Sequence, residues 1–396
     1  MKSSSKQSTT IRRGRPEDVE AILNLLTEYD LPRSYFETFY LNDSSYRPEH
    51  SWVVEQQGRL LSHLRVYDRW IRVDRAKLRI AGIGNVITTH DARGQSYTGQ
   101  MIHAILPVLH QEGYAYSLLW THLPHLYGRY GWVAIEQEQV RARTHAPTGT
   151  PAILHTVAIT PFAPQDLADV MLLYETANAE RTGTTIRSTA YWREQPAWLH
   201  EDLQLFLLAR DTITHALLGY VRGQAAQHAV EVLELALAES RFDIGHLLLA
   251  QLSAQQHRPL QGHFPPSQRP IFRQGEFAIH PATPCMGRVI NLAALIQALE
   301  PQWNERTQAA RTPARSLILA TGSGQKVLDI RNAQIQASTP HGAVAAPLLS
   351  ERELAHLLLR GFDVSATKLL GDRPDESVLR TLFPEQDFVI WLADVF

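Results

Sequence analysis

The chain has one cysteine, Cys285, in 396 residues. That excludes an intrachain disulfide and any zinc cluster built on cysteine, and makes a reducing, cytoplasmic compartment the default expectation. Charge of one sign is also missing: 38 Lys plus Arg against 40 Asp plus Glu leave a formal net charge of −2. Such a balance offers no basic field for a nucleic acid or a membrane surface, so neither is expected as a partner. No apolar window approaches the length of about 18 residues that a membrane span needs. The polar opening MKSSSKQSTT is followed by no apolar h-region. No signal peptide is expected, and residues 1–8 are expected to be disordered. Also absent are GxxxxGKS/T, GxGxxG after a strand, GxSxG and HExxH. His122 and His125 stand three apart without a third ligand nearby, so they read as packing or polar surface, and no metal is expected.

What is present begins with a repeat. Residues 16–26, PEDVEAILNLL, align without gaps to 164–174, PQDLADVMLLY. Each follows a β-like segment, TIRRG or HTVAITPF, and Asp18 and Asp166 sit where a first-turn carboxylate favours a helix N-terminus. SWVVEQQGRLLSHLRVYDRW (51–70) and LFLLARDTITHALLGYVRG (205–223) both read as strand, polar turn, strand. Two such copies imply a duplicated domain, not a solenoid. The stretch THAPTGTPA (144–152) reads as the linker, and HRPLQGHFPPSQRP (257–270) as an extended loop. Beyond Cys285 the pattern changes. LAALIQALEPQW is helical, and SLILAT, QKVLDIR and AQIQAS read as strands with turns at GSG and near Asn332. SEREL then opens a helix through a Ser350…Glu353 capping box, and Gly361 ends it. The expected class is α/β with mixed sheets, in three parts: 1–148, 149–285 and 286–396.

One junction in the first copy has chemical content. KLRIAGIGNVITT (77–89) is apolar and β-branched enough for a buried strand. Met101, Ile102, Ile105, Leu106 and Leu109 then keep a helical spacing. Arg93-Gly94-Gln95-Ser96 therefore lies on a strand-to-helix turn, where unpaired N–H groups can receive an anion. Glycine permits close backbone approach there, and Arg93 adds positive charge. Read alone, the same residues fit a plain turn with a solvated arginine. In the second copy, LELALAESRFDIGHLLLAQL already has Gly245 inside the helical pattern, so no anion turn is expected there.

A strand, R-G-x-S opening a helix, another apolar strand and then YGRYGW (127–132) resembles the GNAT acetyltransferases, most of all the Eis-like (enhanced intracellular survival) family. That family joins two GNAT-like domains, the second degenerate, to a sterol-carrier-protein-like (SCP2-like) domain. The likeness covers nearly the whole chain and includes NAERTGTTIRSTAYWRE (178–194). It implies acetyl-CoA as co-substrate. Val86, Ile87 and Thr88 would meet the pantetheine arm and thioester, and Arg93, Gly94, Gln95 and Ser96 the pyrophosphate. Tyr127 would be the general acid, and the terminal carboxylate of Phe396 the base or amine anchor. The acceptor would be a primary amine: a lysine side chain, a polyamine or an aminoglycoside-like polyamine. A homo-oligomer is implied too, since the family forms hexamers.

This sequence departs from the family at several points. Asp91 and Ala92 precede Arg93, which should weaken phosphate attraction, and Gln95 and Ser96 replace aliphatic residues. His122-Leu123 replace a common Ser-Glu pair, and Val395 replaces an acidic neighbour of the terminus. The chemistry sets its own demands. A primary amine near pKa about 10.4 must lose a proton, and a terminal carboxylate near about 3.5 is a poor base unless burial raises it. The apolar end VIWLADVF fits such burial, and equally a docked last strand. A tyrosine at about 10 has little driving force to protonate a thiolate at about 8.5, so placement would matter more than acidity. A backbone N–H near Val86 could hold the oxyanion. The alternative is a non-catalytic lipid- or partner-binding protein on a GNAT scaffold, with Leu354, Leu357, Leu358 and Leu359 lining a pocket instead of filling a core.

Overall fold

A computed structural model describes residues 9–29, 31–143, 156–198, 200–239, 241–272, 275–340 and 346–396. Residues 1–8, the linker at 144–152 and Asp30 lie outside the described residues. Strands are numbered in chain order. The first sheet runs Thr9–Arg13 (β1), Ser51–Gln56 (β2), Arg59–Val73 (β3), Ala76–Thr88 (β4), Tyr116–Trp120 (β5), Cys285–Val289 (β14), Val133–Ile135 (β6). The second runs Phe277–Pro281 (β13), Glu138–Ala142 (β7), Leu260–Gly262 (β12), Val230–Leu237 (β11), Leu217–Ala225 (β10), Phe206–Asp211 (β9), Val157–Pro161 (β8). A third, smaller sheet runs Gln334–Ser338 (β17), Gly324–Arg331 (β16), Arg315–Thr321 (β15), Leu348–Leu349 (β18).

The repeat is visible at atomic detail. In the first copy the Asp18 carboxylate accepts from the Arg15 amide (2.7 Å) and pairs with Arg12 (2.6 Å). In the second, Asp166 accepts from the Ala163 amide (2.9 Å) and pairs with Arg210 (2.9 Å). Hydrogen bonds from Arg12 hold the Asp18 carboxyl below its usual range. Each aspartate thus closes the entry to its helix, Val19–Leu26 (α1) or Leu167–Ala177. The β2–β3 turn, Gln57 and Gly58, has positive φ at both residues (51° and 77°), which suits a tight two-residue hairpin.

Sheet membership does not follow chain order. β7 leaves the first copy to pair with β12 and β13 in the second sheet, and β14 returns from the second copy to lie between β5 and β6 in the first. The segments 1–148, 149–285 and 286–396 therefore do not coincide with the three sheets. The proline-rich run at 257–270, expected as a loop, contains β12 and a short 3-10 helix at Pro266–Ile271. Pro259 tolerates the strand because it precedes it, and its carbonyl accepts from Val230.

The third part matches its sequence pattern: helix Leu292–Ala309, strands β15 to β17, and helix Glu351–Arg360, with the Ser350–Glu353 capping box and Gly361 at φ 69°. Leu354, Leu357, Leu358 and Leu359 are buried in a core that also contains Ile71, Leu78, Ile80, Tyr116 and Leu118 of the first sheet. The third part is thereby packed directly onto one face of that sheet. After helix Arg33–Leu41 (α2), helix Tyr97–Gln111 (α3) covers the other face with Met101, Ile102, Ile105 and Leu109. Among the described residues no helix is long and apolar enough to cross a membrane.

Candidate active site

β4 and β5 pair in parallel over three residues only, Ile80–Gly82 against Tyr116–Leu118, although both strands continue. Two features occupy the divergence. The first is a bulge: the β3–β4 register passes from Arg65↔Gly84 to His63↔Ile87, so Asn85 and Val86 stand opposite Leu64 alone. Asn85 takes a φ of 49°, which asparagine tolerates better than most residues. The second is the end of the chain. A Cβ on Gly82 would overlap the Phe396 ring, and one on Gly84 would lie 3.4 Å from the terminal carboxyl carbon. The ring stacks on Tyr67 of β3 (5.1 Å, 20°) and meets Trp120 edge-on (4.9 Å, 86°). Gly82 and Gly84 share one strand face by the two-residue period, leaving a strip clear for the terminus.

The last residues reach this strip because the second copy holds them. Val389 donates its amide to the Thr182 carbonyl (3.0 Å), and the buried Trp391 donates its Nε1 to Asn178 (3.1 Å). His263 contacts the Ile390 carbonyl through Nδ1 (3.2 Å). Asp394 accepts from Arg187 (2.9 and 2.8 Å) and from the Tyr191 hydroxyl (2.9 Å). Gln195 donates to the Ala393 carbonyl (2.5 Å). The segment 178–194 is thus the clamp on the tail, and its Arg187 lies over the Trp192 ring (4.4 Å).

At the start of α3, Arg93, Gly94, Gln95 and Ser96 are all exposed. Gly94 has a φ of 84° and nothing within 4 Å of the point a Cβ would occupy, and Ser96, at φ 59°, makes no side-chain cap bond. The first amides of α3 are therefore left without a side-chain acceptor. Arg93 is held loosely, by the Thr88 carbonyl (3.4 Å) and Glu28 (3.8 Å). Asp91, expected to weaken anion attraction here, forms a two-pronged pair with Arg59 (2.7 and 3.0 Å). Those bonds pull its pKa to about 2 and offset its charge locally.

Tyr127 lies on the short helix Pro124–Gly128 (α4) and is 7% exposed, edge-on to Trp132 (6.4 Å). Burial, with a smaller contribution from Tyr29, raises its pKa well above the ordinary phenol value. Tyr29 in turn donates its hydroxyl to the Val86 carbonyl (2.7 Å). That carbonyl, expected at the pantetheine arm, is thus already engaged. Tyr130 and Trp132 pack: Tyr130 lies against Gly99 of α3, and Trp132 donates its Nε1–H to the Ser117 hydroxyl (3.3 Å). His122 and His125 are exposed, and no group able to hold a metal occurs among the described residues.

The structure brings Phe396 onto β4 against Gly84, two residues from Val86, and leaves the 93–96 turn open beyond the C-terminal end of the same strand. Tyr127 shares a core with Ile83 of that strand, against which Val86 also packs. Gly82, Gly84, Asn85, Tyr67, Trp120 and Tyr29 were missed from sequence. The signal that could have found them is GIGN (82–85): two glycines on one strand face, followed by a residue that accepts a left-handed turn. Glu37 pairs with Arg33 (2.7 Å) and Asp394 with Arg187 (2.8 Å).

Residues 10–135 match the family model described as Acetyltransferase (GNAT) domain. Solved structures extend the likeness over the whole chain. A GCN5-related N-acetyltransferase from Kribbella flavida is 15% identical with a TM-score of 0.71, covering 98% of each chain. One from Anabaena variabilis is 12% identical with a TM-score of 0.72, covering 98% of this chain and 100% of that one. Eis1 from Mycobacterium abscessus is 14% identical with a TM-score of 0.66, with the same coverage. At such identities these likenesses establish the shared fold. No curated protein matches the chain in sequence.

Proposed function

We propose that the chain is an acetyl-CoA-dependent N-acetyltransferase acting on a primary amine by direct transfer. The observation that carries this reading is the seating of the Phe396 carboxyl group against Gly84, beside the β4 bulge and between strands that part. The turn at 93–96 and the open amides of α3 would hold the pyrophosphate of acetyl-CoA, and the backbone at 86–88 its pantetheine arm.

In the reaction, the Phe396 carboxylate pairs with the incoming ammonium, orients it and takes one proton from it. The neutral nitrogen attacks the thioester carbon. A C–N bond forms, and the carbonyl electron pair moves to oxygen, facing an amide of the bulge. On collapse the C–S bond breaks and sulfur takes the Tyr127 hydroxyl proton. The nitrogen's remaining surplus proton returns through water to the tyrosinate. Because burial raises Tyr127 further above a thiol, that proton moves only as thiolate charge develops, and the placement of the hydroxyl counts for more than its acidity.

We read the third part as the family's sterol-carrier-like domain, serving as a brace: its leucines fill a shared core instead of lining a carrier pocket. The test extends the chain by one glycine after Phe396, which moves the carboxylate while keeping the ring. Acetyl transfer, followed by release of free thiol, should fall by about 10²-fold. Unchanged turnover with the cognate amine would remove the terminus from the mechanism.

A further inference from the structure

A buried histidine stands at the β4 bulge and has no part in the reaction as written above. His63 of β3 is fully buried, and its register partner Ile87 is where β4 resumes pairing after the bulge. The His63 Nδ1 lies 2.9 Å from the Asn85 carbonyl oxygen. Its Nε2 lies 3.2 Å from the Ser51 hydroxyl and 3.4 Å from that of Tyr40. Burial, with a smaller push from Arg65, outweighs the Asn85 bond and brings the ring down to about 4. The imidazole is therefore neutral at neutral pH and carries a single proton. A carbonyl can only accept, so that proton is on Nδ1. Hydroxyls can donate, so Nε2 accepts.

The bond matters because of where Asn85 sits. Asn85 and Val86 share one opposite residue on β3, so the ladder does not set the peptide between them. The His63 Nδ1–H does. In a trans peptide unit the C=O and the following N–H are coplanar and antiparallel, so the Val86 N–H points away from His63. On the side of β4 away from β3 lies β5, whose pairing ends at Gly82 and leaves Val86 outside its register. Asn85 is held by its side chain as well. Its Nδ2 donates to the Tyr67 hydroxyl (3.1 Å) and to that of Tyr40 (3.4 Å). The Tyr67 ring is the one on which Phe396 stacks. One residue at φ 49° thus ties the bulge to the end of the chain, and His63 holds its carbonyl.

Resting on the acyl-transfer reading above, we propose that His63 is a positioning residue: its Nδ1–H fixes the Asn85 carbonyl and thereby aims the Val86 N–H at the oxyanion. His63→Asn keeps an N–H donor at the Nδ1 position, whereas His63→Leu puts carbon there. With the full-length protein, free thiol released from acetyl-CoA is measured with spermidine, 2-phenylethylamine or Nα-acetyl-lysine as acceptor, and with water alone. His63→Leu should lower kcat by about 10-fold with the KM for acetyl-CoA unchanged, a smaller loss than removing an oxyanion donor outright. His63→Asn should recover most of that kcat. A wild-type kcat in His63→Leu, or an equal fall in both variants, overturns the positioning role and leaves acyl transfer standing. In wild-type protein labelled with 15N-histidine, NMR should find the His63 proton on Nδ1 at neutral pH. A proton on Nε2 overturns the role even where neither variant folds. Absence of thiol release in all four reactions overturns the acyl-transfer reading itself.

Discussion

The two copies have the same entry, an aspartate-closed helix, and the same succession of hairpin, strand and helix, yet their openings differ. In the first, β4 and α3 are joined by an exposed turn with Gly94 in a left-handed conformation and no side-chain cap. In the second, helix Phe242–Gln256 begins with Arg241 paired to Asp243 (2.7 Å) in its own first turn. A carboxylate already sits where an anion would bind. Gly245 is used for packing: a Cβ there would meet Ile271 at 2.9 Å and Leu237 at 3.0 Å. The second copy is also occupied from inside, because Val389 and Trp391 of the tail are part of its core. One copy thus keeps an exposed, uncapped helix start. The other holds the segment that lays Phe396 onto β4 of the first.

The largest effect should come from breaking the holder. Asp394 is 5% exposed and pairs with Arg187, which also contacts Glu234. Asp394→Ala leaves Arg187 without one of its two buried carboxylates, a loss of about 3–5 kcal/mol. Thermal unfolding should show that loss, and acetyl transfer should fall with it although no residue of the first copy has changed. If turnover stays intact in a destabilised protein, the tail does not depend on this clamp.

Tyr127→Phe tests the first copy alone. Turnover should fall by about 10²-fold with the KM for acetyl-CoA and the melting temperature nearly unchanged. The needed form is the protonated phenol, and burial raises its pKa, so the proton is present at all pH values below that raised value. A pH profile on a primary amine should therefore show no descending limb from this group up to pH about 10. A limb near pH 8 that disappears in Tyr127→Phe would contradict the burial described here.

Much of this contrast was legible in the chain. The repeat, the glycine turn and the third part's capping box are local patterns, and local patterns survive in sequence. The exchange of β7 and β14 between sheets was not. These are five-residue strands whose partners lie far away, and no periodicity says which sheet a short strand will join. The Asn85 bulge and the Phe396 strip also depend on non-local register. GIGN shows that something must approach closely, but not that the approaching group is the last residue of the chain.

The smallest effects sharpen the comparison most directly, because two glycine substitutions should separate function from packing. Gly94→Ala places a side chain at φ 84° in open space, so it meets strain of about 1 kcal/mol and no clash. Its visible consequence should be a several-fold higher KM for acetyl-CoA, since the backbone there is read as the pyrophosphate cradle. Gly245→Ala presses on Ile271 and Leu237 and should cost about 1–3 kcal/mol of stability. It should leave that KM unchanged. Thermal melts and initial-rate kinetics on the two variants give a two-by-two result. If Gly245→Ala raised the KM for acetyl-CoA as much as Gly94→Ala, the second copy would not be the non-binding partner that its paired Arg241–Asp243 entry implies.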